Sequence, residues 1–202
     1  STMIISLSAT PPSSDTIADI EEITTFASNN GIKLNFSVRG PGYRGTATAL
    51  STPSGSASSS SSNSNDDPPI LGYVEGFIRP GGKILHADRM EIFNSKQKMG
   101  GTFLGPGLLI AYICFLHGYE SGCTTCEFLA IDDAEYQHKR LVRYYGSAGF
   151  KAVRYVGENL RDIPDRLVWG GCGTLMTQDI SVVLEKWTRI IRRASSSGGM
   201  DG

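Results

Sequence analysis

The sequence predicts a mixed α+β domain built on a central, mostly antiparallel sheet flanked by helices. Three observations carry this. Between residues 32 and 93, runs of alternating apolar and polar residues are punctuated by Gly and Pro turns, the pattern of paired strands. After residue 100 the period changes, and helical runs alternate with short strands. The chain of 202 residues, 40% apolar and 19% charged, has the composition of a single globular domain with some extra tail.

After an apolar run from Met3 to Leu7, the stretch SSDTIADIEEITTFASNNG predicts a helix. Ser14 or Asp15 is expected to cap it, Ile17, Ile20, Ile23 and Phe26 form its apolar stripe, and Asn29, Asn30 and Gly31 end it. IKLNFSV and TATAL then alternate on either side of RGPGYRG, which predicts a hairpin. Residues 51–69, STPSGSASSSSSNSNDDPP, carry no apolar content to bury and are expected to form a flexible surface insertion between strands rather than a domain boundary. ILGYVEGFI and KILHADRMEIF follow as strands joined by the Pro80-Gly81-Gly82 turn.

The next run, GGTFLGPGLLIAYICFLHGYESG, holds a helix opened by Gly105 and by Pro106, whose missing N–H is harmless at the first helical position. It is apolar on nearly every side and ends near Gly118 or Gly122. CEFLAI reads as a strand. A helix capped by Asp132 or Asp133 runs through Ala148, Gly149 stops it in the left-handed conformation, and KAVRYVG is a strand. DRLVWGGCGTLM reads as a further strand with a glycine-relaxed end. Residues 177–193 read as an extra amphipathic helix with Ile180, Val183, Leu184, Trp187, Ile190 and Ile191 on one face. A parallel pairing of CEFLAI with KILHADRMEIF, diverging at one end, is expected, because a helical crossover joins parallel strands.

Charge and cysteine content exclude several classes. Lys and Arg total 19 against 20 acids, so no overall field draws the chain to nucleic acid or an anionic membrane. No segment reaches the ~20 apolar residues of a membrane-spanning helix. Four cysteines do not make a disulfide scaffold in a chain of this length, and Cys123 and Cys126, with C-x-x-C spacing but no second pair, read as core cysteines in a reducing compartment. Ser1-Thr2 ahead of Met3 suggests trimming of something upstream, such as a targeting peptide.

Within LVRYYGSAGFKAVRYVG, residues 141–157, a helix ends in two tyrosines, breaks at a glycine and passes into a strand. Adjacent tyrosines at a helix end are either packing residues with wet tips or a hydroxyl kept for chemistry. Together with the meander strands, the glycine-led helix of TFLGPG and the strand that follows it, this order resembles the GNAT (Gcn5-related N-acetyltransferase) superfamily. The resemblance spans about Ile70 to Met176.

The resemblance implies acetyl-CoA as cofactor, with its pyrophosphate held by Thr102, Phe103, Leu104, Gly105 and Gly107 at a helix start where amides carry positive partial charge. Two departures stand in that loop: Thr102 occupies a position that is Gln or Arg in the family, and Pro106 removes one amide. The resemblance places Tyr145 on the tyrosine that protonates the departing thiolate. His138 falls on an asparagine that donates to the cofactor, and Glu91 is the best-placed acid to take a proton from the amine. The tail from Leu167 to Met176 with its helix resembles plastid GNAT-like proteins of plants and algae, which implies the stromal side of a chloroplast; otherwise the setting is cytoplasmic.

Two functional readings follow. One is an N-acetyltransferase moving acetyl from acetyl-CoA to an amine whose identity the sequence leaves open. The other is a non-catalytic GNAT-like subunit of a larger assembly, suggested by the altered loop and the all-round apolar helix. The C-terminal helix also has two readings: a cap on its own sheet, or a contact by Lys186, Arg189, Arg192 and Arg193 to an acidic partner protein, with the Ser-rich loop as a second partner surface.

Overall fold

A computed structural model describes residues 16–50, 68–93, 105–132 and 135–197. Along the chain lie α1 (Ile20–Asn29), β1 (Ile32–Arg39), β2 (Gly42–Ala49), β3 (Ile70–Ile78) and β4 (Ile84–Ile92). They are followed by α2 (Pro106–Glu120), β5 (Thr125–Ile131), α3 (Glu135–Ala148), β6 (Lys151–Val156), a 3-10 turn at Leu160–Asp162, α4 (Ile163–Trp169), β7 (Gly173–Asp179) and α5 (Ile180–Ser197). The strands form one sheet in the order β1-β2-β3-β4-β5-β7-β6. This is the expected mixed α/β architecture.

Strands β1 to β4 form an antiparallel meander. Its β3–β4 turn needs glycine, since Gly81 and Gly82 sit at φ of 101° and 68°. The helical crossover α2 then makes β5 parallel to β4, the pairing on which the resemblance to the GNAT superfamily depends. The pairing is short. It runs from Ile84↔Thr125 to Ala87↔Phe128 and stops there. The cause lies on the other edge of β4, where Gly76 faces Ala87 but Glu75 faces Arg89, so Asp88 is an extra residue in a β-bulge. A bulge bends its strand and increases local twist, which turns the rest of β4 away from β5.

Helix α2 is buried on nearly all sides because the fold surrounds it: β2, β3 and β4 on one side, α1 and α5 on others. Its all-round apolarity is therefore satisfied within the chain and provides no partner surface. Close approach to β2 requires Gly45, where a Cβ would come within 2.9 Å of both Cys114 Sγ and Ile110 Cγ2. The Tyr112 hydroxyl bonds Thr188 Oγ1 of α5 at 2.6 Å and donates to the Ala18 carbonyl at 3.1 Å, tying three segments together.

Helix α5 caps its own domain. Its apolar face, including Val183, Leu184, Trp187 and Ile191, is buried, and Trp187 stacks on Phe115 at 5.4 Å while its Nε1 donates to the Ala148 carbonyl. Three of the four basic residues bond inside the chain as well: Arg192 forks onto Glu22 at 2.8 Å through both Nε and Nη2, Lys186 donates to the Ser147 carbonyl and Arg189 to the Glu185 carbonyl.

Three expectations are corrected. The N-cap of α1 is Asp19, whose carboxylate accepts from the Glu22 N–H at 2.8 Å; Ser14 and Asp15 lie outside the described residues. The run read as one long strand from Asp165 divides into the end of α4 and the strand β7, with Pro164 in the first helical turn and Gly170 as a left-handed stop at φ 69°. The C-terminal helix starts at Ile180 and continues to Ser197, because Thr177 to Asp179 pair with β5 as strand. The Ser-rich insertion lies outside the described residues except for Pro68 and Pro69.

Candidate active site between the parted strands

Where β4 and β5 part, a cleft of about 1120 Å³ opens. Its walls include Gly107 and Leu108 from the first turn of α2, Phe128 of β5, and Leu141 and Tyr145 of α3. Along the parted edges, backbone N–H and C=O groups of β4 beyond Ala87 have no partner on β5, so an extended, amide-bearing ligand can pair with them.

The two tyrosines differ in their surroundings. Leu141, Tyr145 and Ala148 share the inner face of α3, and the Tyr145 ring packs edge-on against Phe128 at 4.3 Å. Tyr144, one residue earlier, is half exposed. Gly149, at φ 117°, ends the helix, and the Phe150 N–H closes back on the Tyr145 carbonyl at 3.0 Å, which fixes the ring's base. Burial, with a smaller contribution from neighbouring Tyr144, pushes the Tyr145 hydroxyl up to about 12. Like any tyrosine it keeps its proton at neutral pH, and the residue lines the cleft.

Glu91 lines the same cleft, so the structure brings the two expected catalytic residues to one cavity. Its carboxylate pairs with Arg89 Nε at 3.1 Å. Gly105 is the N-cap of α2, and a Cβ there would meet open space. The Leu108 and Leu109 N–H groups return to the Gly105 carbonyl, and Pro106 has none, so Gly107 is left as a first-turn amide without an acceptor inside the helix. Thr102, Phe103 and Leu104 lie outside the described residues. His138 does not line the cleft: its Nε2 bonds Thr174 Oγ1 on β7 at 3.0 Å and its Nδ1 lies 3.6 Å from Asp132.

A second polar group was not foreseen. His86 of β4 is fully buried, stacked between Phe77 at 4.4 Å and Trp169 of α4 at 4.0 Å. Its Nδ1 lies 3.3 Å from Glu127 Oε1 on β5, and the Arg79 guanidinium lies against that carboxylate, charge on charge. His86 Nε2 has no hydrogen-bond partner among the described residues. Asp88, the bulge residue, approaches it to 3.9 Å, and Asp88 and Trp169 both line the cleft. The available signal was the cross-strand pairing of His86 with Glu127, which appears once the parallel register is drawn.

Cys114, Cys123 and Cys126 are buried, as core cysteines are, and burial raises all three thiols. Among the described residues no group of three or more His, Cys, Asp or Glu side chains is placed to hold a metal. No helix among them is long and apolar enough to cross a membrane.

No protein-family model matches the sequence, and no curated protein matches it. Among solved structures the chain is similar to an acetyltransferase of the GNAT family from Staphylococcus aureus Mu50, at 12% identity and a TM-score of 0.44, over 79% of this chain and 75% of that one. It is also similar to nourseothricin acetyltransferase, at 12% identity and a TM-score of 0.42 over 69% of this chain, and it spans 66% of that protein's length. A third likeness is to aminoglycoside 6'-N-acetyltransferase complexed with coenzyme A, at 13% identity and a TM-score of 0.38, over 68% of this chain and 73% of that one.

Proposed function

We propose that this protein is an N-acetyltransferase that transfers acetyl from acetyl-CoA directly to an amine. The observation that carries the reading is the cleft at the parting of β4 and β5, lined both by Gly107 of the first turn of α2 and by Tyr145. The residues present fit the cofactor. The unpaired strand edges suit an extended pantetheine arm, Gly107 and the loop before it would hold the pyrophosphate, and Pro106 reduces the number of amides available to it.

Bound there, acetyl-CoA supplies the activated acyl group as a thioester. Tyr145 holds a proton at its hydroxyl and delivers it to the departing sulfur. Phe128 and Leu141 keep water from the reacting end. Glu91, half exposed and paired with Arg89, is placed to orient a cationic acceptor at the mouth of the cleft.

Calorimetric titration with acetyl-CoA, followed by assay of thiol release with a panel of primary amines, tests the reading. One-to-one binding and amine-dependent release of free CoA are expected. Absence of binding together with absence of thiol release overturns it.

A further inference from the structure

Direct transfer to an amine needs a base, because an ammonium has no lone pair with which to attack. Glu91 was the sequence's candidate, but its carboxylate is already paired with Arg89 at the surface. The line of residues behind the cleft is better arranged. A carboxylate accepts only, so Glu127 fixes the Nδ1 of His86 as its N–H and leaves Nε2 as the lone pair. That nitrogen is fully buried and has no partner among the described residues, whereas a buried polar atom without a role is costly to keep. It points towards Asp88, the one residue that the bulge inserts, whose half-exposed side chain stands in the cleft wall.

We infer that Asp88, His86 and Glu127 form the proton exit of the transferase, with His86 as the base acting through Asp88. The inference rests on the acetyltransferase reading. An N–H bond of the bound ammonium breaks, and the proton passes to the Asp88 carboxylate and on to His86 Nε2, directly after a side-chain rotation or through one water across the 3.9 Å gap. The freed electron pair attacks the thioester carbonyl, the C–S bond breaks, and the thiolate takes its proton from Tyr145, which recovers one from the newly acylated nitrogen or solvent. The imidazolium returns its proton to solvent through Asp88. Around His86 the charges are Asp88 from its own strand, Glu127 from β5, and Arg79 from the end of β3; Phe77 and Trp169 cover its two faces without charge. Arg79 lies against Glu127, which leaves Asp88 as the carboxylate that faces Nε2. His86 is on this account a positioning and relay residue, since it does not touch the acceptor.

The test compares kcat/KM against pH for the parent, His86→Gln and Asp88→Asn with the best amine of the panel, alongside 15N imidazole spectra of the full chain. The parent should show Nδ1 protonated in the neutral His86 ring, as its contact with Glu127 requires. His86→Gln should lower the plateau by roughly 10²-fold and change the pH profile, with acetyl-CoA affinity unchanged. Asp88→Asn, at a half-exposed position, should lower it by about 10-fold. A parent without thiol release overturns the acetyltransferase reading and the relay together. A parent that turns over, while Asp88→Asn or a folded His86→Gln gives a superimposable pH profile, overturns the relay alone, and so does a neutral His86 protonated at Nε2.

Discussion

The Tyr43 hydroxyl reaches across β3 to donate to the His86 carbonyl at 3.0 Å, passing over Gly76. A Cβ on Gly76 would stand 2.0 Å from that carbonyl and 2.6 Å from the hydroxyl. Gly76→Ala is therefore expected to lower stability by about 3 kcal/mol or more through forced displacement of β4. Tyr43→Phe, which removes only the buried bond, should cost roughly 1–3 kcal/mol. Urea unfolding of both variants checks the order, and a Gly76→Ala protein as stable as the parent would refute the close crossing.

Tyr145→Phe should lower turnover by roughly 10²-fold with little change in melting temperature, because the ring's packing on Phe128 survives. Steady-state thiol release measures this, and unchanged turnover removes Tyr145 from the mechanism.

Buried tyrosines set an alkaline limit to stability, with Tyr43 raised well above its ordinary value as well. Burial raises both Tyr112 and Tyr145 from the ordinary 10.0 to about 12, with Tyr112 partly offset by its bonds to Thr188 and Ala18. Each folded-state value lies above the unfolded one, so their contribution is complete below pH 10 and is lost as pH rises towards 12. Chemical unfolding at stepped pH should show stability falling across that window, less steeply in Tyr145→Phe.

The C-terminal helix should respond to apolar truncation far more than to loss of charge. Trp187→Ala empties a buried site against Phe115 and Phe150 and is expected to cost roughly 3–5 kcal/mol. Arg192→Ala removes a half-exposed fork onto Glu22 and should cost about 1 kcal/mol or less. Thermal melts of the two variants decide between a structural cap and a helix held mainly by its charges.

The parallel pairing of β4 with β5 was legible because a glycine-led helix between two strands leaves little other choice. Tyr145 was legible because its neighbours in sequence, Leu141, Ala148 and Gly149, define its face and its helix end. α4 was missed although Pro164 and the Gly170-Gly171 pair are helix punctuation; the apolar content of Leu167 to Trp169 drew the reading towards strand. His86 could not be found by local pattern at all. Its meaning comes from Glu127, which lies 41 residues away, from Trp169 still farther along, and from a one-residue bulge at Asp88 that alternation conceals.

The ladder between β4 and β5 has four rungs, while every other neighbouring pair in the sheet has at least five. Mechanically that makes it the compliant seam of the domain, with the four-strand meander as one stiff plate and β5, β7 and β6 as the other. Helix α2 is the leaf spring across it. Small angular excursions of the plates would alter the width of the cleft while leaving each plate's own hydrogen bonds intact, so amide exchange should be fastest along this line and slowest within the plates.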